Sequence, residues 1–159
     1  MKEMEGARVL VIDDEEGIRK SLKAILEEKG CLVDTAENGQ EAIAKSKTRF
    51  YNLALIDIRL PDMDGVKLLT SMSDTTPKMA KVIVTGYPSL ENAIEAVNRG
   101  ADGYIVKPFT MEQLLKTVRE YLQKQQEAKK YSEEKVKDYI ESRAKELESK
   151  SSRRRSQRT

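Results

Sequence analysis

Arg8-Val9-Leu10-Val11-Ile12-Asp13-Asp14 is the stretch on which the reading of the fold turns. It is a brief, β-branched, nearly continuous apolar run that ends abruptly in two acids. Leu53-Ala54-Leu55-Ile56 before Asp57, Lys81-Val82-Ile83-Val84 before Thr85 and Gly103-Tyr104-Ile105-Val106 before Lys107-Pro108 have the same form. Cys31-Leu32-Val33 is a shorter example, in which Cys31 reads as a small buried hydrophobe. Runs that do not alternate with polar residues suit strands whose two faces are both covered, as in a parallel sheet.

Between the runs lie stretches with helical spacing. Ile18, Leu22, Ile25 and Leu26 form the first, stopped by Gly30. Others cover Ala42–Lys47, Val66–Met72, Leu90–Asn98 and Met111–Tyr121, with Asn38, Asp64, Ser89 and Thr110 placed as N-caps. Asp62, Asp64 and Gly65 read as the turn and cap leading into the third helix. Five strands alternating with five helices imply right-handed crossovers and an α/β sandwich with a doubly wound parallel sheet. Such a sheet places its functional site beyond the carboxyl ends of its strands.

At those ends the sequence sets Asp13, Asp14, Asp57, Thr85 and Lys107. Taken singly, each is an ordinary turn or cap residue; four polar strand ends on one rim are hard to obtain by accident. Clustered carboxylates repel one another and need a compensating cation. With oxygen ligands and no His or Cys, a hard ion such as Mg²⁺ is favoured over zinc or copper. Mg²⁺ keeps positions open for water and phosphate oxygens, so the chemistry indicated is phosphoryl transfer, with Lys107 and Thr85 as further partners. Asp57, single and central, is the best candidate for a nucleophile that forms an acyl phosphate.

These residues resemble the receiver domain of two-component response regulators, of the chemotaxis-regulator type. The match spans about residues 6–124. It rests on Val11-Ile12-Asp13-Asp14-Glu15, on Asp57-Ile58-Arg59-Leu60-Pro61-Asp62-Met63-Asp64-Gly65, on Val84-Thr85-Gly86-Tyr87 and on Gly100-Ala101-Asp102-Gly103-Tyr104-Ile105-Val106-Lys107-Pro108-Phe109. The resemblance implies a five-stranded flavodoxin-like sheet of order 2-1-3-4-5. It implies that Asp57 accepts a phosphoryl group from a sensor histidine kinase or a histidine phosphotransfer protein. Asp14, Asp57 and the backbone carbonyl of Arg59 would bind Mg²⁺ directly, with Asp13 acting mainly through water. Lys107 would contact the phosphoryl group. Thr85 would turn toward it after transfer, and Tyr104 would move inward with Thr85. A cis Lys107–Pro108 bond belongs to the same expectation. Arg59 and Tyr87 flank the path of attacking water, and their bulk predicts slow self-hydrolysis.

Composition narrows the alternatives. The 159 residues contain no His, which excludes a histidine kinase, a His-based phosphocarrier and a Ser-His-Asp hydrolase, and makes the phosphoryl donor another protein. One Cys excludes a disulfide framework. The N-terminus has no signal-like apolar run and no segment suits a bilayer, so the expected location is the cytoplasm, without membrane contact. An aspartyl phosphohydrolase would carry a second acid two residues after its nucleophile, where this chain has Arg59. The expectation is therefore a signalling module rather than an enzyme, apart from Mg²⁺-dependent self-phosphorylation and slow self-dephosphorylation.

Residues 1–120 carry 17 Lys/Arg against 20 Asp/Glu, and residues 121–159 carry 12 against 7. The second part reads as a charged amphipathic helical extension over 125–150, with Val136, Tyr139, Ile140, Ala144 and Leu147 at helical spacing, then a basic disordered tail over 151–159. One such helix cannot bury a core alone, so docking or a homodimer is in view. A strict heptad fails across Gln125 and Ser132. The tail arginines could hold nucleic acid weakly and without sequence preference. The output is then a downstream protein target or, as the alternative, transcription, through the tail or through an output region beyond this chain.

Overall fold

The computed structural model describes residues 4–72 and 78–157, with side chains to 154. Its order is β1 (Arg8–Ile12), α1 (Glu16–Glu28), β2 (Leu32–Ala36), α2 (Gly39–Thr48), β3 (Leu53–Asp57), α3 (Gly65–Ser71), β4 (Ala80–Thr85), α4 (Leu90–Asn98), β5 (Gly103–Val106) and α5 (Met111–Gln157). The strands form one parallel sheet of order β2-β1-β3-β4-β5.

Both faces of the sheet are covered, which is why its strands lack alternation. Val9, Val11, Leu53, Leu55, Val82 and Val84 face one way, onto Leu22 and Leu26 of α1 and Leu114, Val118 and Leu122 of α5. Leu10, Ile12, Ala54, Ile56 and Ile83 face the other, onto Ala42, Val66, Leu68, Leu69 and Ala96 of α2, α3 and α4. Each fully buried Leu, Ile or Val stabilises by about 1.5–3 kcal/mol, so the two layers hold the sheet rigid beneath its rim.

The caps follow local chemistry. The side chains of Asn38, Asp64 and Ser89 accept from the amides of Glu41, Val66 and Asn92. Thr110 and Gln113 form a reciprocal box, each side chain accepting from the other's amide at 3.1 and 2.9 Å. Gly30 and Gly100 end α1 and α4 at φ 98° and 100°, the left-handed turn that favours glycine.

Two units emerge, residues 1–125 and 126–159. The helix continues through 151–157, where the sequence suggests a disordered tail; Arg158 and Thr159 lie outside the described residues. No Pro or Gly follows Pro108, so nothing local terminates α5, and pairs such as Arg143–Glu146 at 2.9 Å support the turns. All described side chains of 126–154 are exposed, including Val136, Tyr139, Ile140 and Leu147.

Candidate functional site

Register brings the site together. Ile12 pairs with Ile56, so Asp13 comes level with Asp57; Asp57 pairs with Val84 and Thr85 with Val106, so Thr85 and Lys107 follow at the same rim. Asp13, Asp14 and Asp57 each offer a carboxylate oxygen, and these oxygens all lie within 4.8 Å of one another. Asp13 is 3% exposed and Asp57 6%, while Asp14 is open to solvent.

Lys107 is the cation that faces them. Its Nζ donates to Asp13 Oδ2 at 2.8 Å and to Asp57 Oδ2 at 3.4 Å. Asp57 Oδ1 accepts from the Arg59 amide at 3.2 Å, and Asp13 Oδ1 accepts from the Glu15 amide at 2.9 Å. Arg19 reaches the same turn, its guanidinium donating to the Asp13 carbonyl at 2.8 Å. Burial pushes the Asp57 carboxyl above the usual carboxylate range; the Lys107 charge pulls it back, and the Asp13 charge pushes it up again. Burial works to lower the Lys107 ammonium, but its hydrogen bond to Asp13 and the charges of Asp13 and Asp57 outweigh that and leave it raised. One lysine thus stands against three carboxylates. An all-oxygen donor set with a surplus of negative charge fits a divalent cation.

The cleft above Asp57, about 410 Å³, is lined by Asp14, Glu15, Asp57, Arg59, Gly86, Tyr87 and Lys107. The Arg59 guanidinium stacks on the Tyr87 ring, 3.5 Å from its centroid. Thr85 is wholly buried, and its Oγ1 accepts from the Tyr87 amide at 3.0 Å, so in this conformation the hydroxyl serves the β4–α4 loop and does not line the cleft. Tyr104 is half-buried in the layer that covers α4. Its hydroxyl finds no partner of ordinary geometry among the described residues, and burial raises its phenol, with the Ser89 backbone opposing. The Lys107–Pro108 peptide is cis.

Asp62 adds to the reading of the β3–α3 loop. Besides the backbone amides of Asp62 and Met63 in its own turn, its carboxylate meets a second element. It crosses to α2, accepting from the amides of Gly39 at 2.8 Å and Gln40 at 2.9 Å. A link between residues so far apart in sequence leaves no local signal. Glycine is required at the meeting point, because a Cβ on Gly39 would collide with the Met63 side chain.

With this geometry in hand, comparison with known proteins is direct. Residues 9–119 match the response regulator receiver domain family, and the chain belongs to it: it carries a receiver domain of two-component response regulators. A receiver domain protein from Methanospirillum hungatei is 44% identical, with a TM-score of 0.75 over 78% of this chain and 99% of that one. A response regulator from Burkholderia pseudomallei, solved with a phosphorylated aspartic acid and a calcium ion, is 33% identical with a TM-score of 0.65, over 69% of this chain and 64% of that one. The regulatory protein AtoC of Escherichia coli is 34% identical over 74% of this chain, which spans only 26% of AtoC's length. Receiver domains are signalling domains that bind a divalent metal at such an acidic cluster and act with histidine kinases and output partners. No described helix is long and apolar enough to cross a membrane.

Proposed function

We propose that Asp57 is the phosphoacceptor of a Mg²⁺-dependent switch located in the cytoplasm. The observation that carries this reading is the convergence of Asp13, Asp14 and Asp57 within 4.8 Å beside Lys107. Asp14, Asp57 and the Arg59 carbonyl would hold Mg²⁺ directly and Asp13 mainly through water; when bound, the ion supplies positive charge against the carboxylates and the phosphoryl oxygens. The B. pseudomallei relative, solved with a phosphorylated aspartic acid and a calcium ion, supports the same use of the cluster.

The chain's own residues then divide the work. An Asp57 oxygen attacks phosphorus, the P–N bond of the donor's phosphohistidine breaks, and an acyl phosphate forms. The Arg59 amide orients the carboxylate through Oδ1. Lys107 already touches Asp57 and is placed to pair with a phosphoryl oxygen. Thr85 would exchange the Tyr87 amide for that group, and the half-buried Tyr104 would follow, which makes the β4–α4 loop the bistable part. The donor is a sensor histidine kinase or a histidine phosphotransfer protein, and the receiving surface belongs to a downstream protein.

The Arg59–Tyr87 stack partly covers the approach to Asp57, so water attack on the acyl phosphate is slow. Incubation with acetyl phosphate and Mg²⁺, then removal of the donor by gel filtration, tests the reading. The phosphorylated form is expected to require the metal and to persist for minutes or longer; loss within seconds contradicts the slow step, and uptake undiminished by chelation contradicts the metal's role.

Control of transcription is a second reading, favoured by the similarity to AtoC and to the transcriptional regulatory protein ResD of Bacillus subtilis. Basic Arg153 and Arg154, exposed near the end of α5, could hold DNA phosphates without sequence preference. DNA binding that persists in a chain ending at Gln123 would rule the tail out as its source.

A further inference from the structure

The loop that follows Asp57 is a small hairpin. Arg59 and Asp64 bridge in antiparallel fashion, and the Gly65 amide donates to the Ile58 carbonyl at 2.7 Å. At its base the two backbones approach so closely that a Cβ on Gly65 would collide with the Asp57 carbonyl oxygen. Its tip is Leu60-Pro61-Asp62-Met63, of which Leu60 and Met63 pack, partly buried, against the layer that holds α2, α3 and α4. Its polar tie runs to α2: Asp62 Oδ1 accepts from Gly39 and Oδ2 from Gln40, and the Met63 side chain fills the space that a Gly39 side chain would occupy.

This contact does more than cap a helix. Asn38 already satisfies the Glu41 amide at 2.8 Å, so Asp62 serves the two remaining amides of the first turn with both of its oxygens. A carboxylate there also meets the positive end of the helix dipole. The two amides hold the Asp62 carboxyl below the usual carboxylate range, so it stays ionised near neutral pH.

We propose that Asp62 is a positioning residue for the metal site, latching the Arg59–Asp64 hairpin to α2 so that the Arg59 carbonyl stays in place beside Asp57. The latch rests on the reading of Asp57, Asp14 and the Arg59 carbonyl as the cation's ligands. Groups that orient the ligands of a metal commonly change its affinity, because each ligand that must be ordered on binding costs free energy. Asp62 bonds to Gly39 and Gln40 and not to Asp57, so its loss weakens binding without removing a reacting group.

The test is calorimetric titration of Mg²⁺ into the full chain and into Asp62→Ala and Asp62→Asn. The dissociation constant is expected to rise about tenfold in Asp62→Ala, the low end for such supporting groups, and about twofold in Asp62→Asn, which keeps one acceptor. Phosphoryl uptake from acetyl phosphate should return close to the parent rate once Mg²⁺ is saturating, a change in apparent affinity without a change in limiting rate. Asp34→Asn, on β2 away from the loop, serves as a stability control that leaves Mg²⁺ affinity alone. If both Asp62 variants bind Mg²⁺ as the parent does and lose only thermal stability, the contact is structural and the proposal is overturned. Should Asp62→Ala not fold, Asp62→Asn decides alone. A parent that binds Mg²⁺ yet takes up no phosphoryl group would refute the phosphoacceptor reading instead, and the dissociation constants would still judge the latch.

Discussion

The two ends of the sheet treat polar groups in opposite ways. At the amino ends the Asn52–Gln125 contact is neutral and reciprocated: Asn52 accepts from the Arg8 amide, and its side chain donates to Gln125 Oε1 at 3.0 Å. Gln125 in turn donates to the carbonyls of Asn52 and Lys78. At the carboxyl ends, Asp13, Asp14 and Asp57 gather around the single ammonium of Lys107. Balanced hydrogen bonds serve stability, whereas buried charges of one sign cost stability and persist where a cation or a transferred group repays them. The end whose charges fail to balance is therefore the end that acts.

Breaking the active end should give the largest effects. Lys107→Ala is expected to slow phosphoryl uptake from acetyl phosphate by about 100-fold, near 3 kcal/mol of transition-state stabilisation, with Mg²⁺ saturating. A rate within a few-fold of the parent would deny Lys107 that role. Next comes Gly65→Ala, which forces a Cβ onto the Asp57 carbonyl. A loss of about 2–3 kcal/mol in urea unfolding is expected, the upper range for overpacking, together with poorer uptake because the strain falls directly beside the acceptor.

The amino end should answer differently. Asn52→Ala removes the link to Gln125 and leaves partly buried groups unpaired, a cost of about 1–2 kcal/mol in unfolding free energy with the uptake rate unchanged. A matching fall in uptake would mean that the two ends are coupled and that the contrast fails.

The smallest effect is expected at β2. Asp34 accepts from the Tyr51 hydroxyl at 2.6 Å and pairs with Arg49 at 3.0 Å, and the Tyr51 bond, more than Arg49, holds its carboxyl below the usual range. A lowered folded value means stability that is present above the unfolded carboxyl value of about 3.9 and is lost as pH falls through the folded one. Asp34→Asn should cost about 1 kcal/mol near neutral pH, and parent and variant should begin to approach each other below about pH 4 and meet below the folded carboxyl value. Curves that stay parallel down to acid pH would assign the effect elsewhere.

How much of this was written locally in the chain differs from place to place. The strands were legible because both faces are buried, and the acids stood out because each interrupts an apolar run. Lys81 was not recognisable as a buried lysine: it is 4% exposed, with Nζ donating to the Leu69 carbonyl near the end of α3, yet it looks like the solvent-facing start of a strand. The Asp62–Gly39 and Asn52–Gln125 bonds span 23 and 73 residues, and no periodicity encodes such meetings. Toward its far end α5 is helical to Gln157, where a run of arginines suggests a disordered tail, and no residue there interrupts a helix. Thr85 shows a different limit: its place at the rim followed from the pattern, while its bond to the Tyr87 amide depends on which conformation the loop adopts.

Intact-mass spectrometry after treatment with acetyl phosphate and Mg²⁺, run side by side on the parent and on Asp57→Asn, probes the site most directly. The parent should gain the mass of one phosphoryl group and the variant none. The same gain in the variant would show that another side chain carries the group, and would contradict the role assigned to Asp57.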